Sequence, residues 1–194
     1  MIAELRTDRL RLRGWRPEDR EPFAVMNRDP QVVEYLPGPL DRAASDALVD
    51  RIEDHWDRLG FGLWVVEVPG VAPFVGFVGL SRIVFTAPFT PAVEVGWRLA
   101  RDAWGHGYAT EGGRASLAFA FDTVDLDEVV SFTTVQNTRS RRVMERLGMT
   151  RDPDQDFEHP NVPRGHPIRP HVLYRLSEAV WRSEQPGAGG TAGQ

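Results

Sequence analysis

The sequence predicts one α/β domain of the α+β kind, in which a mixed, largely antiparallel sheet of six to seven strands is flanked by about four helices. Three observations predict it. The chain has 194 residues, 41% of them hydrophobic, which is enough for one well-buried core and short for two. Segments with apolar residues at every second position alternate with segments at helical spacing. Three successive strand-like segments have connections too short for a crossover helix, which favours antiparallel pairing.

The N-terminal part begins with a predicted strand. In the segment RLRLRGW, Leu10 and Leu12 alternate with arginines, which is the two-residue period of a half-buried strand. Pro17 at a first-turn position, followed by two acidic residues near the positive end of the helix dipole, predicts the start of a helix. Asp29-Pro30 predicts a second helix start for the same reason.

The middle of the chain predicts a long helix followed by three strands. Apolar residues recur at spacings of four and three over residues 41–59, so this segment predicts an amphipathic helix that Gly60 closes. The three strands are the segments 61–68, 74–85 and 92–100, which are rich in β-branched and aromatic residues and are separated by proline and glycine.

The C-terminal half alternates helices and strands. A helix follows the glycine-rich stretch that starts at residue 104, and residues 128–135 predict the next strand. A further helix is predicted over 137–148, and a last strand over 171–177.

Composition and charge exclude several classes of function. The net charge is −5, which argues against a nucleic-acid partner. The absence of cysteine removes disulfides, thiolate nucleophiles and Cys-based zinc sites. No segment has the apolar length of a signal peptide or a membrane span, so we expect a cytoplasmic protein with no membrane partner. The Gly-rich end predicts a single domain over residues 1–182 and a disordered tail over 183–194.

Two clusters of potential metal ligands predict no metal site. The acidic segment DPDQDFE is similar to the start of an EF-hand loop, but Phe157 occupies the position that needs glycine and Pro163 the one that needs glutamate. His159, His166 and His171 have no helical zinc spacing, and the prolines between them predict an extended loop. We expect this loop to border the acceptor pocket or to connect to the last strand.

The stretch WGHGYATEGG joins the third of the central strands to a helix. A glycine-rich turn at a helix N-terminus presents unpaired N–H groups where an anion such as a pyrophosphate binds, and Gly105 and Gly107 let it approach. The same glycines are compatible with a tight turn that binds nothing. A P-loop would end in Gly-Lys-Ser/Thr, and this stretch has no lysine. A dinucleotide fingerprint needs a third glycine and an acid after the next strand. Thr110 occupies the position of that glycine, and Gln136 and Asn137 follow the next strand in place of an acid, so this motif is a weak match.

Three blocks of the sequence together resemble the GNAT superfamily of acetyl-CoA-dependent N-acetyltransferases. They are TDRLRLRGWRPED, VEVGWRLARDAWGHGYATEG and TTVQNTRSRRVMERLGM, and they are similar to the branch of Rim-type ribosomal-protein N-terminal acetyltransferases. The resemblance covers residues 5–177. It implies a GNAT fold, whose sheet splays in a V, with acetyl-CoA as co-substrate and no metal.

The resemblance also implies which residues contact the cofactor. The pyrophosphate loop of the family, Gln/Arg-x-x-Gly-x-Gly/Ala, falls on residues 104–109, with tryptophan at the Gln/Arg position. The family binds the pantetheine arm along the preceding strand, and a helix-capping Asn137 could touch the cofactor, although a plain N-cap needs no ligand. The implied contacts are Trp97, Arg98, Leu99, Trp104, Gly105, His106, Gly107, Tyr108, Ala109, Thr110, Asn137 and Arg142.

The chemistry of acetyl transfer asks for a base and an acid. An amine attacks a thioester only when neutral, and lysine and α-amines have pKa values of roughly 10.4 and 7.7–8.0. Glu94 resembles the acids that relatives place on this strand, although it could equally be a surface glutamate. Ser140 could donate to the leaving thiolate or be bonded locally, and Met144 stands where many relatives have tyrosine.

The expected partner is an amine, either a small molecule or a peptide N-terminus, and relatives are often homodimers. With no cysteine to carry a covalent intermediate, we expect direct transfer. The alternative function is a non-catalytic module that binds acyl-CoA or another protein on the same fold.

Overall fold

The computed structural model describes residues 2–184 and confirms the α/β architecture. The predicted tail begins inside it, since Ser183 ends the last helix; residues 185–194 lie outside the described range. The strands are β1 (Leu5–Arg6), β2 (Arg11–Arg13), β3 (Leu63–Glu67), β4 (Gly76–Arg82), β5 (Val93–Leu99), β6 (Glu128–Thr134), β7 (Thr150–Arg151), β8 (Phe157–Glu158) and β9 (Pro170–Ser177), and the helices are α1 (Arg20–Met26), α2 (Arg42–Leu59), α3 (Tyr108–Asp122), α4 (Thr138–Arg146) and α5 (Glu178–Ser183).

The strands form one sheet in the order β1-β2-β3-β4-β5-β6-β9-β7, with β8 also paired to β9. The sheet is wider than predicted because β1, β7 and β8 have two residues each, which is too short for a detectable period. All pairs are antiparallel except β5 with β6, between which α3 crosses over. That parallel pair holds only at Glu94 and Val130. Both strands continue beyond this point, so the sheet opens into the expected V.

The two faces of β4 carry different helices. Phe77 packs against Phe23 of α1, with ring centroids 6.0 Å apart. Val78, on the opposite face, touches α3: a Cβ added to Gly112 would lie 2.8 Å from its Cγ1. Gly112 therefore lets α3 lie close to the sheet, and α4 packs beside α3.

The long predicted helix is confirmed, and its ends show why it forms there. Asp41 is the N-cap of α2, and its carboxylate accepts from the main-chain N–H of Ala44 at 2.7 Å. At the other end Gly60 has a φ of 73°, a left-handed conformation that closes the helix, and donates to the carbonyl of Trp56.

The helix predicted to start at Asp29-Pro30 is wrong. Residues 30–36, which we call the turn segment, form successive turns instead. Pro37 follows directly, and a proline disfavours the helical conformation in the residue before it. Leu36 and Pro37 form bends, and residues 38–40 have no regular secondary structure.

The environment of Arg13 differs from the one that the alternation of arginine and leucine in the first strand predicts. Leu10 and Leu12 are buried as predicted, but Arg13, on the face expected to be polar, is only 1% exposed. Its guanidinium donates to Asp19 at 2.7 and 2.8 Å and to Glu67 at 2.7 Å. These two carboxylates compensate the buried charge, and their positions cannot be read from periodicity.

Candidate active site

A cavity of about 550 Å³ lies between the end of β5, the N-termini of α3 and α4, and the turn segment. All twelve implied cofactor contacts and Ser140 lie in its wall, so residues from two of the three sequence blocks meet there. Glu94 lies outside this wall, deeper in the V. A more open hollow of about 660 Å³ on the other side of α3 contains neither Glu94 nor Ser140.

The glycine-rich loop forms one end of the cavity. Gly105 and Gly107 have φ values of 80° and 82°, which other residues rarely adopt. Gly107 is the N-cap of α3 and no side chain caps this helix, so the N–H groups of its first turn have no hydrogen-bond partner among residues 2–184. A Cβ on Gly105 would meet nothing within 4 Å. The main-chain N–H groups at the positive end of α3 are therefore free to bind an anion in the open space beside the loop.

An ion pair from the N-terminal segment holds this loop. Arg9 donates through Nε to Glu111 at 2.7 Å and through Nη1 to the main-chain carbonyl of His106 at 2.9 Å. Thr7 also donates to Glu111, at 2.6 Å. Since His106 lies between Gly105 and Gly107, the hydrogen bond from Arg9 holds the main chain between the two glycines. Sequence reasoning missed Arg9 and Glu111 because they are 102 residues apart.

Trp104 has a structural role that explains its departure from the family pattern. Its indole N–H donates to the Leu99 carbonyl at 2.9 Å. The guanidinium of Arg139 lies over the same indole, 4.5 Å from the ring centroid, and 5.7 Å from that of Tyr35. Arg139 also pairs with Glu34 at 2.8 Å. Trp104 and Arg139 therefore tie the turn segment to α4 across the cavity.

The strand β5 presents alternate main-chain groups to the cavity. Ala100 donates its N–H to Val75, next to β4, and main-chain groups of a strand alternate in direction. Those of Arg98 therefore face β4 as well, and those of Trp97 and Leu99 face the V. The implied pantetheine contact of Arg98 through its main chain is corrected by this alternation; Arg98 reaches the cavity through its side chain.

Glu94 lies at the apex of the V, at the single position where β5 pairs with β6. Its carboxyl turns toward Gly96, with Oε1 3.5 Å from the place a Cβ would take there. Burial raises the pKa of Glu94 to about 8, while the residue keeps partial contact with solvent. A desolvated but reachable carboxyl suits a base acting near neutral pH, and a fully solvated surface glutamate does not fit these observations.

Asn137 and Ser140 form a small hydrogen-bonded unit at the start of α4. The Asn137 side chain caps the helix by accepting from the Ser140 N–H at 3.2 Å. Its amide donates to the hydroxyls of Thr133 at 3.0 Å and Ser140 at 3.2 Å. Because the Ser140 hydroxyl accepts this bond, its own hydrogen is left to donate into the cavity. Met144 is 1% exposed and packs in the core.

The loop that carries His159 and His166 lies beside the C-terminal half of β6, where His171 pairs with Thr134. His159 and His171 have ring centroids 4.9 Å apart and contact Phe132. Burial, followed by the charge of His171, lowers the pKa of His159 to about 4. Residues 2–184 contain no group of three ligands that could hold a metal. Asp152 caps a short turn and lies outside the cavity wall.

Comparison with known proteins defines the class. Residues 9–150 match the family model described as acetyltransferase (GNAT) domain. The chain is 30% identical to the uncharacterized protein YkkB of Bacillus subtilis over 76% of this chain and 85% of the relative. It is 29% identical to the FsC-acetyl coenzyme A-N(2)-transacetylase of Aspergillus fumigatus, over 94% of this chain and 80% of that one. An acetyltransferase structure from Agrobacterium tumefaciens matches with a TM-score of 0.74 and 29% identity, over 92% and 96% of the two chains.

The chain therefore belongs to the GNAT acetyltransferase family, and it is an acetyl-CoA-dependent acetyltransferase. The non-catalytic alternative is not favoured, since relatives are named as transferases. These matches do not confirm that the chain belongs to the branch of Rim-type ribosomal-protein N-terminal acetyltransferases. Over residues 2–184, no helix is both long and apolar enough to span a bilayer.

Proposed function

We propose that the protein transfers the acetyl group of acetyl-CoA directly to a primary amine, and that the acceptor is the α-amine of a peptide or protein N-terminus. The observation that carries the reaction is the placement of a free-donor glycine loop at one end of an open V and of a desolvated carboxylate at its apex. The resemblance to Rim-type enzymes supports an α-amine, and the Aspergillus relative is named for transfer to an N(2) nitrogen.

The residues of the cavity fit acetyl-CoA, which supplies an activated acetyl thioester when bound. The N–H groups of the glycine loop would hold its pyrophosphate, with Arg142 nearby in the wall. The main-chain groups of Trp97 and the N–H of Leu99 would pair with the pantetheine arm in the manner of an added strand; the Leu99 carbonyl already accepts from Trp104.

Glu94 is the base in this proposal, and Ser140 is a hydrogen-bond donor. Ionised Glu94 takes a proton from the incoming ammonium group, which leaves the amine neutral and nucleophilic. As the amine nitrogen bonds to the acetyl carbon and the carbon–sulfur bond breaks, coenzyme A leaves as a thiolate, and the second proton lost by the nitrogen passes to that thiolate. Ser140 donates a hydrogen bond, not a proton, to the departing sulfur, and Asn137 keeps the hydroxyl in that orientation.

The test is a calorimetric titration of the protein with acetyl-CoA and, separately, with NAD. We expect micromolar binding of acetyl-CoA, no binding of NAD, and loss of acetyl-CoA binding in Gly107→Val, because valine cannot hold the loop conformation. Gly70→Val is the matched control, since Gly70 has a φ of 76° in a turn with nothing within 4 Å of its Cβ position. Full affinity in Gly107→Val would refute the loop assignment.

A further inference from the structure

The side chain of Arg98 is a half-buried cation that has no acidic partner among residues 2–184. Its Nη1 donates to the side-chain oxygen of Asn27 at 2.7 Å, and the guanidinium lies 5.4 Å from the ring centroid of Phe77. Both of these partners are neutral. Burial alone lowers the pKa of Arg98 to about 10, with no opposing contribution from a carboxylate among residues 2–184.

Arg13, which is fully buried, shows which partners Arg98 does not have. Arg13 is surrounded by two carboxylates and two main-chain carbonyls, whereas Arg98 has one amide. A partly desolvated charge without a counter-charge is destabilising, and Arg98 carries such a charge in the wall of the cavity, so its arrangement suits an anionic ligand. Asn27 is itself fully buried and donates to Ser45 at 2.9 Å, which holds the guanidinium in place.

The remaining donors of Arg98 face the cavity. In the described residues, the only side-chain nitrogen or oxygen that is inaccessible to solvent and has no hydrogen-bond partner is Oδ1 of Asp46. The unbonded guanidinium nitrogens of Arg98 are therefore open, and the residue lies in the cavity wall. Because side chains alternate along a strand, Arg98 and Glu94 share one face of β5, with Gly96 between them and no side chain to separate them.

We infer that Arg98 binds a carboxylate carried by the acceptor, so that the amine reaches Glu94 while the acid is held by the guanidinium. This inference rests on the proposed function. The glycine loop would hold the pyrophosphate of acetyl-CoA, and Arg98 shares a face of β5 with Glu94, where the acceptor amine would lie, so we assign the anion at Arg98 to the second substrate. A guanidinium matches a carboxylate with two parallel hydrogen bonds. In the proposed peptide acceptor the carboxylate belongs to an acidic residue at the N-terminus; a free amino acid could supply the same group, and a preference for it would retain acetyl transfer but overturn the peptide as acceptor.

The test compares matched acceptors at saturating acetyl-CoA. One arm pairs amino acids with their carboxamides, and the other pairs peptides that begin with Asp or Glu with their Asn or Gln counterparts. We expect kcat/KM of the wild-type enzyme to favour the carboxylate by about tenfold or more in one arm, as a charged hydrogen-bonded pair implies; that arm identifies the source. In Arg98→Met the preference should fall to about one, through a higher acceptor KM.

Two variants separate this role from a structural one. Arg98→Met should keep its affinity for acetyl-CoA, because the main chain of residue 98 faces β4 and the cofactor contacts lie elsewhere. Arg142→Met should weaken acetyl-CoA binding and keep the carboxylate preference. Arg98→Lys, which retains the charge without the planar pair of donors, should restore part of the preference.

The outcomes distinguish this inference from the proposed function. An enzyme that binds acetyl-CoA and acetylates both members of each pair equally well retains the proposed function and overturns the role of Arg98. A carboxylate preference that persists in Arg98→Met also overturns it. Failure of the wild-type protein to bind acetyl-CoA would overturn both.

Discussion

At the scale of single residues, burial decides the protonation of Glu94. No nearby charge shifts this carboxyl; loss of hydration alone raises its pKa to about 8. The group therefore changes its charge within the range where an α-amine does so too, at roughly 7.7–8.0. Proton transfer from the ammonium group to Glu94 is then nearly balanced in free energy.

Glu94→Gln should lower kcat/KM by about 10²- to 10⁴-fold, the usual contribution of a general base. Because only the ionised carboxylate accepts a proton, kcat/KM of the wild-type enzyme should rise with pH and level off above about pH 8. A pH–rate series on both proteins measures this. Glu128→Gln, an exposed glutamate of the neighbouring strand, is the matched control. An unchanged profile in Glu94→Gln would assign the base elsewhere.

Local sequence was informative for residues whose role depends on their own segment. Gly60, Gly107 and Asn137 lie at helix ends, and the structure places each at a cap. Residues whose role depends on distant partners were not predictable. Arg13 is the example, since its alternation with leucine says nothing about Asp19 and Glu67.

At the scale of elements, the glycine loop depends on a segment that precedes it by about a hundred residues. The main-chain N–H groups bind the anion in our proposal, but Arg9 and Glu111 hold the carbonyl of His106 and so fix the direction of those groups. The loop is therefore held by an ion pair whose two residues, Arg9 and Glu111, do not themselves line the main cavity.

Arg9→Met should raise the KM for acetyl-CoA by about tenfold, which corresponds to one lost charged hydrogen bond. We expect kcat at saturating acetyl-CoA to change much less, because Glu94 and Ser140 are not touched. Steady-state kinetics with varied acetyl-CoA provide the measurement. Arg11→Met is the control, since Arg11 belongs to the same segment but pairs with Glu4. Equal effects of the two substitutions would show that the loop does not depend on Arg9.

The entry to α1 depends on the buried pair of Arg13 and Asp19. Asp19→Ala should lower the free energy of unfolding by about 3–5 kcal/mol, because it leaves Arg13 buried with one partner fewer. Urea unfolding measures the change. Asp50→Ala, which breaks an exposed pair with Arg20, should cost less than about 1 kcal/mol. Adding Arg13→Met to Asp19→Ala should recover stability, and no recovery would show that the loss came from another contact.

At the scale of the whole molecule, the fold was predictable because its pattern is repeated in many segments. The alternating strands and the capped helix over residues 41–59 each agree with one layered sheet. The turn segment and the two-residue strands were not predictable, since each is shorter than the period that would reveal it. The same applies to Arg98 and Glu94, whose shared face follows from β5 but whose surroundings depend on distant residues such as Asn27, which binds the Arg98 guanidinium.

The raised pKa of Glu94 makes the stability of the molecule depend on pH. The folded state holds this proton up to about pH 8, whereas the unfolded chain releases it near the ordinary value of 4.5. Between these values the folded state binds more protons, so the free energy of unfolding should fall as pH rises through this window. Urea unfolding at pH 5, 6.5 and 8.5 should show this fall in the wild-type protein and a smaller one in Glu94→Gln. Parallel curves would contradict the assignment.

Because β5 and β6 pair only at Glu94 and Val130, the rates of amide hydrogen exchange along β5 should differ in the protein without acetyl-CoA. Beyond that contact, the amides of Trp97 and Leu99 face an open cleft, whereas the amide of Arg98 is turned to β4. In deuterated solvent the first two should therefore exchange quickly and the third slowly, giving an alternating pattern within one strand. Acetyl-CoA should slow the first two and leave the third unchanged, so that three consecutive amides of β5 report whether the cleft is filled.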